Sequence, residues 1–163
     1  MANWKARVRS AKKADRRVLN QQLEEIRQEA ATAGRDLRFL FESNGRKMDI
    51  DPQATVESLT DVERHYRAVA RDSGVSPEDL AMIERLMALL LGETLIRARG
   101  GRWDVYDGQF RTASPFVVTL EQTGKHFDAA VIAQSLHRKH SLDGAAEGEA
   151  LAKAVAKADA LAF

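Results

Sequence analysis

Residues 86–120, LMALLLGETLIRARGGRWDVYDGQFRTASPFVVTL, constrain this chain more than any other stretch. A run of helical apolar residues leads into a Gly-Gly break, then a Trp-led strand, an Asp-Gly pair and a second apolar strand. From Pro77 to about Arg99, the residues Leu80, Met82, Ile83, Leu86, Met87, Leu89, Leu90, Leu91, Leu95 and Ile96 point in nearly every direction around a helical wheel. A helix that is apolar all round has no face to give to water, so this one is predicted to be the buried hub of a core. Ser76-Pro77-Glu78-Asp79 reads as its start: Ser at the N-cap, Pro at the first helical position, acids in the first turn. Gly100-Gly101 reads as its stop. Gly92 inside the helix costs about 1 kcal/mol relative to Ala, which predicts close approach of another backbone.

The flanking elements follow from the same reasoning. Trp103, Val105 and Tyr106 begin a strand. Asp107-Gly108 reads as a hairpin turn with Phe110 and Thr112 on the returning arm. Pro115 opens a further strand over 116–120 that closes near Thr123-Gly124, and Asp128 reads as the cap of a helix over 129–139. Upstream, residues 3–33 lack Pro and Gly and are rich in strong helix formers, with Gly34 as the predicted stop. Residues 36–51 read first as a β-hairpin, because Leu37, Phe39 and Phe41 alternate ahead of Asn44-Gly45 and Met48 and Ile50 alternate after it. A helix ending at Ser43 competes with that reading. Asp51-Pro52 breaks the chain. Val56, Leu59, Val62, Tyr66, Val69 and Ala70 then form a helical stripe, with Glu57, Asp61, Arg64 and Arg67 expected to face out. After a linker at 142–148, Leu151, Val155, Ala158 and Leu161 mark an Ala-rich amphipathic helix that docks on the body or lies on a partner.

The expected fold is α+β and helix-dominated, a buried central helix packed on a small antiparallel sheet, with amphipathic N- and C-terminal helices. The expected organisation is a basic amphipathic helix (1–34), an α+β core (35–140) and a linker with a C-terminal helix (141–163), together one domain, as suits a chain of 163 residues. With no cysteine there is no disulfide or thiolate site, and a reducing cytoplasm is the simplest compartment. No apolar stretch approaches the roughly 20 residues of a membrane span, and no apolar run follows the basic N-terminus as in a secretory signal.

Residues 58–139 resemble an uncharacterised bacterial domain family whose long apolar helix ends in Leu-Gly-Glu and passes through Gly-Gly-x-Trp into a small sheet. Here these motifs are Leu91-Gly92-Glu93, Gly100-Gly101-Arg102-Trp103 and a Pro-led strand, Pro115-Phe116-Val117-Val118. The resemblance implies an α+β fold and no established chemistry. Some small bacterial domains of this kind are accessory or immunity proteins beside toxins, so it also implies partner binding.

The candidate binding residues are Glu93, Arg97, Trp103, Asp104 and Tyr106. Glu93 reads either as a buried acid with a raised pKa or as an i, i+4 partner of Arg97. Trp103, Tyr106 and Phe110 read either as an aromatic binding surface or as core and cross-strand packing. Gly100-Gly101 lacks the grammar of a phosphate loop and lies at the wrong end of a helix for an anion. His126, His137 and His140 lack a clear third partner, so no metal and no cofactor is expected. Asp49 and Asp51 read as a turn and helix cap. Net charge is only +1, yet residues 1–20 carry seven cations against one acid. The patch formed by Lys5, Arg9, Lys12, Lys13, Arg16 and Arg17 reads as a solvated face, as a contact for an acidic protein, or as a phosphate-binding surface.

The leading functional expectation is a non-enzymatic, cytoplasmic, bacterial protein-binding module, in concrete form an immunity or accessory protein. The alternative is a nucleic-acid-associated protein that uses the basic helix. Third comes an enzyme with a site near Glu93, Trp103 and Asp104. Partner identity and oligomeric state are left open.

Overall fold

The computed structural model describes residues 4–108, 110–140 and 149–163, with side chains described from residue 16 to 136 apart from 109, and again from 149. Its hub is helix α4 (Pro77–Arg99), which touches helices α1 (Trp4–Ala31), α2 (Ala33–Ser43), α3 (Val56–Ala70), α5 (Ala129–His140) and α6 (Ala150–Ala156), and strands β1 (Gly101–Val105) and β2 (Phe116–Leu120). The Ser76 hydroxyl accepts from the Asp79 N–H at 3.1 Å and Pro77 fills the first turn. At the other end Gly100, at φ +75°, donates to the Ile96 carbonyl at 2.8 Å, a conformation that favours glycine. From Leu86 to Gly92 every residue is buried, as are Thr94 and Leu95. Each fully buried large apolar side chain contributes about 1.5–3 kcal/mol.

Gly92 is explained by a side chain rather than by the backbone expected. A Cβ there would fall inside the indole of Trp103. The Cζ2–Cη2 edge of Trp103 therefore takes the place of a side chain at Gly92 and ties β1 to the hub helix.

The helix-dominated α+β fold is as expected, but several local features differ. Residues 36–51 are not a hairpin. Ala33, Leu37 and Phe41 are buried at i, i+4 and i+8 of α2. Asn44-Gly45 ends the helix: Gly45 (φ +81°) donates to Glu42 O at 3.1 Å and Arg46 donates to Phe41 O at 2.8 Å. That bond pair is a Schellman cap, which demands the same left-handed glycine as a hairpin turn. Gly34 is not a stop. The break falls at Thr32, and Gly34 sits inside α2 because a Cβ would overlap the Pro52 carbonyl.

Asp107-Gly108 is not a two-residue turn, and Phe110 and Thr112 do not form a returning arm. β1 pairs directly with β2, Trp103 opposite Val118 and Val105 opposite Phe116, and residues 106–115 connect them. The connection is held by Tyr106 N–H to Pro115 O at 2.8 Å and by Ala113 N–H to the Asp128 carboxylate at 2.7 Å. A third strand, β3 (His126–Phe127), pairs with β2 and was not anticipated. Asp128 then caps α5 by accepting from Val131 N–H at 3.2 Å.

Arg67 does not face out. It is 6% exposed and donates to Glu63 at 3.2 Å, one helical turn away. The Glu63 carboxylate also accepts the Leu151 N–H at 2.8 Å, so a buried acid on α3 satisfies a donor in the first turn of α6. The C-terminal segment therefore docks on the body, with Leu151, Ala154, Val155 and Ala158 buried, but it breaks at Lys157 into α6 and α7 (Ala158–Leu161) and leaves Leu161 exposed. Its last residue, Phe163, exchanges backbone hydrogen bonds with His126 at 2.7 and 3.0 Å along the free edge of β3.

Candidate functional site

The strand period divides the predicted binding residues between the two faces of the sheet. Trp103 belongs to the core face. Its indole N–H donates to Glu93 Oε1 at 2.8 Å, and Arg27 reaches its carbonyl at 3.4 Å. Glu93 thus holds an indole rather than Arg97, and the expected i, i+4 pair is not formed. Arg97 is exposed and lines a shallow pocket of about 330 Å³ with Glu93, Arg35, Asp51 and Thr32.

Asp104 and Tyr106 belong to the reverse face. Asp104 accepts from the Val105 N–H at 2.9 Å, the Thr119 hydroxyl at 3.2 Å and Arg102 at 3.4 Å. Thr119 has one proton and gives it to Asp104. The 3.1 Å contact between Thr119 Oγ1 and His126 Nδ1 is then donated by the imidazole. The Tyr106 ring lies 5.1 Å from His126 and 5.0 Å from Phe163, and Phe110 lies 5.5 Å from Phe163. The aromatic cluster clasps the end of the chain onto the sheet.

Of the basic patch, Arg16 forms an ion pair with Asp107 and Arg17 is exposed. Lys5, Arg9, Lys12 and Lys13 lie on α1, but their side chains fall outside the described residues, as do those of His137 and His140. Among the described residues no group of three His, Asp or Glu is arranged to hold a metal, and no helix is long and apolar enough to cross a membrane. Asp51 pairs with Arg38 at 3.4 Å instead of capping α3. The cap is Thr55, which accepts from Ser58 N–H at 3.2 Å.

The feature that sequence reasoning missed is a groove of about 580 Å³ between α2 and the first half of α4. Its floor and lips are Phe39, Leu40, Met82 and Leu86, with Glu29, Asp36 and Arg85 on the rim. Phe39 is 70% exposed and Met82 47%. Arg85 makes a bidentate pair with Glu29 at 3.0–3.1 Å, which fixes α4 against α1, and Asp36 meets the exposed Arg35 at 3.4 Å. Helical phase was the signal that would have found the groove. With Leu37 and Phe41 inward, Phe39 lies about 200° from Leu37 at 100° per residue and must face out. Read as a strand, the same three residues share a face and vanish into the core.

Compared with protein-family models, with curated proteins and with solved structures, the chain matches none.

Proposed function

We propose that this protein is a non-enzymatic protein-binding module that receives a basic amphipathic helix in the groove between α2 and α4. The observation that carries the reading is the pairing of Phe39 and Met82, two large apolar side chains left in water on facing helices. Large apolar groups left exposed together in one concavity are the signature of a docking surface, and two fixed helical walls suit the helix-in-groove mode, in which residues at i, i+3, i+4 and i+7 act as anchors. The lining carries two carboxylates to one guanidinium, and although Asp36 also meets Arg35 at 3.4 Å, that exposed pair is screened and exchangeable, which favours Lys or Arg flanking those anchors. A bacterial cytoplasmic accessory or immunity protein is the concrete form of this reading. The nucleic-acid alternative is weakened by Arg16, whose charge is taken up by Asp107.

The test is capture from the native lysate by the tagged protein, with nuclease present, using wild type, the F39S/M82S variant and F110S. Phe110 is also exposed but lies outside the groove, and so serves as the control. One protein retained by wild type and F110S, and lost from F39S/M82S, supports the proposal. Its binding segment should be basic and helical. Capture that F39S/M82S leaves unchanged, or that nuclease abolishes, overturns it.

A further inference from the structure

Helix α1 packs on the core through its second half, where Leu19, Leu23, Ile26 and Ala30 meet the other elements. Its first half, which begins at Trp4, has a different composition. Trp4, Val8 and Ala11 recur there at i, i+4 and i+7, the spacing of the anchors that a helical groove takes, and Lys5, Arg7, Arg9, Lys12 and Lys13 surround them in sequence. Residues 1–20 carry seven cations against one acid, so the rest of the chain carries 18 cations against 23 acids. One stretch of the chain therefore has the chemistry proposed for the groove's occupant, and the body that holds the groove has the opposite charge.

We propose that the groove between α2 and α4 receives the first half of α1 from a second copy of this chain. The inference rests on the groove reading and names the groove's occupant. The segment cannot come from the same copy. Glu29, on the groove's rim, belongs to the same continuous helix as Val8, and the helical rise holds the two about 30 Å apart. A second copy is under no such restraint. Two copies related by a two-fold axis can exchange arms, so that each groove is filled and the assembly closes. The apolar positions of the arm meet the exposed Phe39 and Met82, and a methionine adapts readily to an aromatic partner such as Trp4. The cations of the arm meet Glu29 and Asp36, whose present arginine partners are themselves exposed and exchangeable. They also meet Glu25 and Glu78, which lie one turn before Glu29 and Met82, are exposed, and make no ion pair among the described residues. A foreign basic helix enters the same site, so it competes with the arm.

The experiment is sedimentation velocity on the purified full chain. Wild type should be a dimer at about 100 μM protein in low salt. Raising the salt to about 0.5 M should weaken the dimer about tenfold, because exposed charges are screened. Two variants, W4S/V8S in the arm and F39S/M82S in the groove, should each sediment as monomers. Mixed in equal amounts they should form a heterodimer, since the first keeps a groove and the second keeps an arm. That recovery also shows that neither variant has simply unfolded. A monomeric wild type, a dimer retained by either variant, or a mixture that stays monomeric would overturn the proposal. A monomeric wild type that still captures a different protein through Phe39 and Met82 overturns this inference and leaves the groove reading standing. A dimer that F39S/M82S leaves intact, together with unchanged capture, overturns both.

Discussion

The two halves of α4 both carry apolar residues at helical spacing, the first with four charged residues among them and the second with one, and they differ sharply in burial. From Leu86 to Leu95 the helix is enclosed by sheet and helices, and even its glycine is shaped to an indole ring. From Pro77 to Arg85 only Ile83 is fully buried, Ala81, Met82 and Arg85 are exposed, and concavities open on both sides. The difference teaches that apolar content alone does not decide burial. The second half is covered because β1 turns back at Gly100-Gly101 and brings Trp103 against Gly92, whereas beside the first half Phe39 of α2 and Met82 both stay exposed.

The contrast can be broken most severely at Leu91, which has no exposure. L91A should lose about 2–5 kcal/mol of unfolding free energy in urea titration, through lost transfer energy and a residual cavity. M82A, also on α4, should lose far less. Similar losses at the two positions would erase the distinction between the ends. Next comes G92A. A methyl inside the Trp103 ring should cost about 1–3 kcal/mol by overpacking, outweighing the roughly 1 kcal/mol that alanine gains by helix propensity. A stabilised G92A would show that the indole is not held against the helix. Smaller still is E93Q, which keeps an acceptor for the indole N–H but removes its charge. A loss of about 1 kcal/mol or less, with the Trp103 emission red-shifted, is expected.

At the open end, F39S should leave stability within about 0.5 kcal/mol of wild type while abolishing partner capture, since surface positions tolerate change. The smallest effect concerns α2 itself, the wall of the groove. His65 packs on Phe41 at 5.4 Å and accepts from Arg46 at 3.4 Å, and burial holds its pKa below the ordinary value despite the opposing pull of Asp61. A histidine whose folded pKa is depressed binds fewer protons folded than unfolded. Its contribution is therefore intact above the unfolded value of about 6.5 and is lost as the pH falls through that value toward the folded one. Thermal midpoints measured from pH 7.5 to 5 should fall, and the fall should be shallower in H65Q. An identical slope in the variant would remove His65 as the cause.

How much of this was legible in advance depends on how local the deciding physics is. Ser76-Pro77, Gly100-Gly101 and Asp128 act on backbone groups within a few residues, and each was identified correctly. Asn44-Gly45 is just as local but ambiguous: a left-handed glycine serves a hairpin and a Schellman cap equally. The choice fell to Leu37 and Phe41, which needed α4 to pack against. Arg67 was misplaced because its partner Glu63, one turn away on the same helix, is itself buried under α6, and that segment arrives from far along the chain. The candidate site was the least legible part. Glu93 and Trp103 were both among the candidates, but the partner expected for Glu93 was Arg97, and the indole it accepts from is brought to it only by the fold. Phe39 and Met82 were assigned to strand packing and to the hub.

By itself the sequence determined that there would be a hub helix, where it starts and stops, that a small antiparallel sheet follows it, and that helices dominate. These follow from caps, glycines and apolar periodicity, all short-range terms. Only the tertiary structure decided which apolar residues stay in water, which strand pairs with β1, and that the C-terminal segment closes over α3. Those outcomes depend on which surfaces meet, and contacts between residues far apart in the chain are written in no local pattern.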